Sequence, residues 1–280
     1  MTIDAHHHFW NFSPEEYGWI DESMRALRRD FGPTDLRAEL AAAGVDGAVT
    51  VQARQTLSET EELLRLAAAH DFICGVVGWV PLIQPDVGAQ LVRLAADPWL
   101  RGVRHVLQDE PDEGYMLRED FRRGLGLLRE HGLVYDLLIY PRHLPAVGRL
   151  VDRFPEQPFV LDHVAKPPLR YGDLNAWAAA LRELARRPHV ACKFSGLVTE
   201  ADHVAWTENQ IRACFDVALE AFGPQRLLFG TDWPVCLLAT TYGRWVALVR
   251  RLLEPLAADE RAAILGGNAI RIYGLDAARS

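Results

Sequence analysis

The chain has no apolar run near the ~18 residues needed to cross a bilayer, which removes a membrane span. It has no CxxC pair: its four cysteines (Cys74, Cys192, Cys214, Cys236) are scattered, which removes a zinc ribbon or disulfide framework and fits reduced thiols in a cytoplasmic protein. Positive charge is also short, with 30 Lys and Arg against 38 Asp and Glu, a net of −8. Its basic clusters, Arg186-Arg187 and Arg250-Arg251, are too small to grip nucleic acid or an anionic membrane surface. No GxGxxG follows the first β-rich run, so a dinucleotide fold lacks its fingerprint. No low-complexity tract or long polar linker marks a second domain. The N-terminus, MTIDAHHHFW, has neither the charged start nor the apolar core of a signal peptide.

What is present is an alternation. Short runs rich in Val, Ile and Leu occur at 3–9, 47–52, 73–80, 102–107, 134–140, 159–164, 190–195 and 227–231. They lack a polar–apolar alternation, as expected of parallel strands covered on both faces. Helical patterns lie between them. One opens at Thr34 and stops at Gly44, and another opens at Ser58 with Glu61 three residues on, a capping-box spacing. Further helices are expected at 86–96, 118–131, 144–154, 174–187, 207–222, 243–253 and 259–266. Eight βα units without a break predict an α/β fold, a single distorted (β/α)8 TIM barrel over residues 1–280.

Such a barrel carries its chemistry at the carboxyl ends of its strands, and polar residues collect there. His6 and His8 stand two apart on the first strand and face the same side, a half-site for a divalent cation such as zinc. His7 faces away. Asp232, in GTDWP after the eighth strand, can ligate a metal and act as general base, or simply cap the turn before Pro234. In LDHVAKP, His163 can ligate metal or meet a substrate oxygen, and Lys166 can neutralise developing negative charge. Arg104 offers a fork for a carboxylate or hydroxyls, or a salt bridge at the rim. Gln52 and Gln108 are candidates for hydroxyl recognition. Trp10, Trp79 and Trp233 can present ring faces to a sugar or serve as packing. Asp136 either faces the substrate or pairs with an arginine, and Cys236 can line the pocket without a base beside it. His105 should be structural, and His143 and His203 should lie at the surface. Residues 201–207 can form part of a lid.

The ordered set IDAHHHFW, VQA (51–53), GVRHVLQ (102–108), LDHVAKP, KFSGLVTEAD and LLFGTDWPV resembles the amidohydrolase superfamily across most of the chain. The nearest branch is the amidohydrolase-related sugar lactonases, of the L-fuconolactonase and L-rhamnonolactonase kind. The resemblance implies hydrolysis of a sugar-acid lactone by water attack on the ring carbonyl. Asp232 and His163 would be catalytic, Arg104, Lys166, Gln52, Trp233 and Trp79 would bind substrate, and His6, His8, His163 and Asp232 would hold one zinc-like cation. Two departures narrow this. The fourth strand offers Arg104 and His105 where two-metal members carry a carboxylated lysine, and the fifth strand, VYDLLIY, lacks the histidine that many one-metal members use. A metal-independent lactonase acting on a carboxylated lactone and a zinc-dependent decarboxylase of the same superfamily are the alternatives. Association into a homo-oligomer stays open.

Overall fold

The computed structural model describes residues 1–170 and 174–276. Eight strands form one parallel sheet in chain order: β1 (Ile3–His7), β2 (Gly47–Val51), β3 (Ile73–Gly78), β4 (Leu100–His105), β5 (Val134–Leu137), β6 (Phe159–Leu161), β7 (Val190–Phe194) and β8 (Leu227–Phe229). Nearly every strand residue is buried, because the barrel interior covers one face and the helices the other. The principal helices are α1 (Pro33–Ala43), α2 (Leu57–Ala69), α3 (Val87–Ala95), α4 (Glu119–Gly126), α5 (Leu144–Arg153), α6 (Asn175–Ala185), α7 (Glu208–Phe222), α8 (Tyr242–Leu253), α9 (Ala258–Ala262) and α10 (Asn268–Tyr273). Among the described residues no helix is long and apolar enough to cross a membrane.

The circle closes just beyond the strands. His8 N–H donates to Trp233 O at 2.7 Å, and Asp232 N–H donates to His6 O at 2.8 Å. These two bonds set the first and last segments side by side at the mouth. Beneath them the buried Asp4 carboxylate accepts from Thr231 Oγ1 (2.6 Å), Thr231 N–H (2.9 Å), His6 N–H (3.1 Å) and Tyr242 OH (3.2 Å). Burial nevertheless pushes its carboxyl up to about 6. One side chain thus ties β1, the β8 exit and α8 together.

Several boundaries differ from the sequence expectation. The run at 159–164 leaves the sheet after Leu161, because His163, Val164, Ala165 and Lys166 all take left-handed backbone angles (φ 52–57°). The cap of α2 is Thr56, whose extended backbone turns its hydroxyl to Glu59 N–H, so the Ser58–Glu61 box is not formed. Helix α1 starts after Gly32 with Pro33 in its first turn, two residues ahead of the expected Thr34, since proline needs no amide partner there. Its expected stop is observed: Gly44 sits at φ 62° and caps the last turn. The helix at 118–131 divides into α4 and a 3₁₀ turn, Leu128–His131. The tail after residue 266 continues as α10, where no helix was expected.

Candidate active site

His6 and His8 converge because they stand two apart on the same face of the chain leaving β1. Their Nε2 atoms lie 3.2 Å apart. Asp232 Oδ1 completes a triangle, 3.6 Å from His6 Nε2 and 3.3 Å from His8 Nε2. His163 Nε2 approaches the same oxygen at 3.9 Å. Tetrahedral ligands held about 2.0–2.2 Å from a zinc ion stand about 3.3–3.6 Å from one another. The triangle matches that spacing, and His6, Asp162 and His163 form a second group of adjacent donors.

Two of the rings are oriented from behind. His8 Nδ1 meets Val51 O at 2.8 Å, so it carries the proton and leaves Nε2 a lone pair. His163 Nδ1 meets Ser195 Oγ at 2.9 Å. The left-handed backbone that aims His163 and Lys166 costs roughly 1–2 kcal/mol per residue, and Trp177 Nε1 pins it by donating to Val164 O at 2.8 Å. Asp232 is also left-handed, at φ 60°. Gly196 (φ 67°) lies so close that an added Cβ would stand 2.5 Å from His163 Nδ1 and 3.0 Å from Asp232 Oδ2.

Burial holds His6 well below the usual imidazole range and takes His163 down to about 4. Burial alone would raise Asp232, but His163, His8 and His6 outweigh it and lower the carboxyl below its ordinary value. At neutral pH His6 and His163 are uncharged, so the cationic pull on Asp232 is weaker there and its basicity is closer to normal. Asp232 is thus an unprotonated carboxylate facing neutral imidazoles.

Under the triangle lies a layer of paired charge. Arg104 donates to Asp162 Oδ2 (3.0 Å) and, through Nη2, to Gln52 Oε1 (2.8 Å) and Gln52 O (2.5 Å). Lys193 Nζ lies 2.5 Å from Asp136 Oδ2 and 3.1 Å from Asp162 Oδ1, and Tyr273 OH donates to both Asp136 oxygens. All of these side chains are buried.

Above the triangle opens a cavity of about 830 Å³. His8, His163 and Asp232 form its floor, Arg54, Arg104, Gln108 and Lys166 its polar wall, and Trp19, Met24, Leu138, Val235 and Leu238 an apolar wall. Lys166 pairs with Glu200 at 3.4 Å and lies 5.3 Å from the Tyr140 ring centre.

The sequence candidates are therefore divided. His6, His8, His163 and Asp232 meet, with Arg104 and Lys166 beside them. Gln52 is outside the cavity wall, its amide oxygen committed to Arg104. Trp233 is buried edge-on between Phe31 and Phe9 (centroids 5.3 and 6.3 Å), and Trp79 donates its indole N–H outward to His105 Nδ1 at 3.3 Å. None of the three lines the cavity. Trp10 is likewise packing, its Nε1 donating to Leu27 O and Arg29 O. Asp136 pairs with Lys193, Cys236 is buried away from the cavity, and His143 is buried against expectation. His7 turns away as expected, its Nε2 meeting Thr50 Oγ1 at 2.9 Å. Lys193, Asp162 and Asp4 had been given no role. For Lys193 and Asp4 the signal was a charge inside a strand flanked by apolar residues, which demands a buried partner, whereas Asp162 stands in the turn just after β6. Trp19 and Met24 come from the long segment after β1, where no periodicity marks them.

The model of the family described as Amidohydrolase matches residues 3–275. The chain belongs to the amidohydrolase family and is an enzyme, a hydrolase. Two of its curated relatives are lactonases of the kind that the motifs resembled. An L-fucono-1,5-lactonase of Burkholderia multivorans is 44% identical, over 98% of this chain and 96% of the relative. One of Burkholderia ambifaria is 40% identical, over 99% and 96%. A crystal structure of a Burkholderia multivorans amidohydrolase with bound zinc superposes with a TM-score of 0.95 at 45% identity, covering 99% of this chain and 100% of that one.

Proposed function

We propose that the protein opens a sugar-acid lactone, an aldonolactone of the L-fuconolactone kind, with Asp232 as general base. The observation that carries this is the placement of the Asp232 carboxylate against the His8 and His163 rings on the floor of the cavity, with His6 buried behind them. The whole-length likeness to two L-fucono-1,5-lactonases supports the lactone class.

His6, His8 and Asp232, with His163 on the remaining side, are spaced to hold one divalent cation, zinc as in the Burkholderia neighbour. When bound, it supplies Lewis-acid polarisation of the ring carbonyl and a more acidic water. The rest falls to the chain. Asp232 uses its second oxygen to hold the attacking water and takes its proton. The Arg104 guanidinium, 3.3 Å from His6 Nε2, and Lys166 stabilise the oxyanion that forms on the carbonyl oxygen. His163, kept neutral by burial, holds Asp232 and the departing ring oxygen in register. The bond between carbonyl carbon and ring oxygen breaks, the ring oxygen receives the proton from Asp232, and a hydroxy acid leaves.

A panel of fucono-, rhamnono-, galactono- and arabinono-lactones, read by acid release in a weakly buffered indicator, tests the reading. Hydrolysis of at least one deoxy- or pentonolactone is expected. Silence on all of them, with gas release from unsaturated carboxylic acids instead, would overturn it. Metal analysis of chelator-free protein, with zinc and manganese added back, tests the cation separately.

A further inference from the structure

The connection from β1 to α1 is a closed loop. Trp10 and Phe31 form its neck by donating their N–H groups to each other's carbonyls, at 3.0 and 2.9 Å. Tyr17, Ile20 and Leu27 are buried beneath it, so the loop is a packed unit. Its Glu16, Trp19 and Met24 line the cavity above Asp232. Arg54, just past the end of β2, meets this loop from the barrel side. Its Nη1 lies 2.5 Å from Glu16 Oε1, and its guanidinium carbon is 5.3 Å from the Tyr17 ring centre. On the inner side Arg54 Nε and Glu59 Oε1 stand 3.8 Å apart, both buried and neither in a hydrogen bond. The carboxylate of the loop, not the buried one, therefore sets where the guanidinium sits.

A guanidinium carries five N–H donors and a carboxylate about four acceptor positions, so this one pairing leaves capacity of both kinds on the cavity wall. A donor beside an acceptor suits a hydroxyl, which needs both, and suits two neighbouring ring hydroxyls better still. It does not suit a carboxylate, because Glu16 offsets the charge of Arg54 and repels a second anion. We propose that Arg54 and Glu16 form the hydroxyl-reading side of the site, binding a vicinal diol on the lactone ring while the ester faces Asp232. This rests on the lactone reading above and narrows it to neutral, polyhydroxylated lactones over carboxylated ones. Arg54 donates to the hydroxyl oxygens, and one hydroxyl donates to Glu16. Among the described residues no ion pair joins either side chain to Asp232. Their bonds form as fully with substrate as with the transition state, and so act on KM rather than kcat.

The test compares the hydroxylated lactone that responds in the panel with δ-valerolactone, a ring ester without hydroxyls. Arg54→Met keeps an apolar stem near Tyr17 and removes the fork. Its KM for the hydroxylated lactone should rise about tenfold or more, the scale of a hydrogen bond to a charged group, with kcat within about threefold of the parent. On δ-valerolactone its kcat/KM should stay within about twofold. Glu16→Gln, at a half-exposed position, keeps the fold and should raise the same KM about threefold while leaving δ-valerolactone alone. Equal losses on the two esters, a fall in kcat with KM unchanged, or an unchanged KM in Arg54→Met would overturn the proposal. The corresponding ring amides, which resist hydrolysis, give a readout by calorimetric titration that needs no turnover. The parent should bind the hydroxylated lactam about tenfold more tightly than Arg54→Met does, and no preference for it over δ-valerolactam would overturn the proposal. A panel in which no lactone responds strikes the proposed function, and the lactam titration still decides this point.

Discussion

Two layers of polar side chains fill the upper barrel, and they are built on opposite rules. In the lower layer Arg104, Lys193, Asp136 and Asp162 balance to zero charge, two against two, and Tyr273 and Gln52 take up further bonds. In the upper layer His8 and His163 bring ring nitrogens to 3.3 and 3.9 Å from one Asp232 oxygen, and among the described residues no arginine or lysine pairs with that carboxylate. Such a group of nitrogen and oxygen atoms is suited to a cation or a polarised water lying among them. The strained backbone follows the same division: the left-handed residues His163–Lys166 and Asp232 all belong to the reactive layer or its rim. Stability is stored below, and reactivity is held ready above.

Breaking the upper layer should cost activity without cost to the fold. Asp232→Asn keeps the shape, and asparagine tolerates the φ of 60° better than most residues. We expect kcat/KM on the responsive lactone to fall by about 10³ or more, as for loss of a general base, with Tm unchanged within error. Retention of a tenth of the activity would remove Asp232 from the chemistry. Breaking the lower layer should do the reverse. Asp162→Asn leaves Arg104 and Lys193 with one carboxylate between them, and removing one partner of a buried ion pair costs roughly 3–5 kcal/mol. Denaturant midpoints should drop accordingly. Because Asp162 also backs His6, zinc affinity should fall about 10–100-fold, the usual scale for a residue that orients a ligand. Unchanged stability would show that the two layers are not distinct.

The architecture was legible because parallel strands buried on both faces announce themselves as uninterrupted Val, Ile and Leu runs, and His6, His8, His163 and Asp232 were legible because barrel chemistry sits at strand ends. Orientation was not. Trp233 follows Asp232 directly, and only the left-handed turn at Asp232 decides that the carboxylate enters the cavity while the indole packs against Phe31. Gln52 stands at a strand end like a substrate reader, yet Arg104 reaches across from β4 and occupies it. Such pairings join residues 52 apart and have no local signature. Lys193 was visible as a lysine within an apolar strand, but its partners come from β5 and the turn after β6, and sequence spacing cannot supply them.

The smallest expected effect sharpens the comparison at the cavity rim, where a buried charge belongs to neither layer. Glu59 Oε2 accepts from Ala53 N–H (3.0 Å) and Arg54 N–H (2.7 Å), holding the loop from which Arg54 reaches the cavity and Glu16. Glu59 Oε1 is buried without a hydrogen bond, and Arg54 Nε stands 3.8 Å away. Burial pushes this carboxyl up to about 7, against the opposing pull of the two amides and Arg54. A folded-state value above the unfolded one contributes stability that is full below about 4.5 and lost as pH rises through 7. Glu59→Gln can accept the same two amide bonds and never carries the charge. Relative to the parent it should therefore be near neutral at pH 5 and gain on the order of 1–3 kcal/mol by pH 8, read from denaturant titrations at both pH values. Lactone turnover should change by less than about threefold, since Arg54 keeps its 2.5 Å contact to Glu16. A stability difference that is flat across this range would mean that Glu59 is ionised throughout and that the rim, like the lower layer, is fully paired.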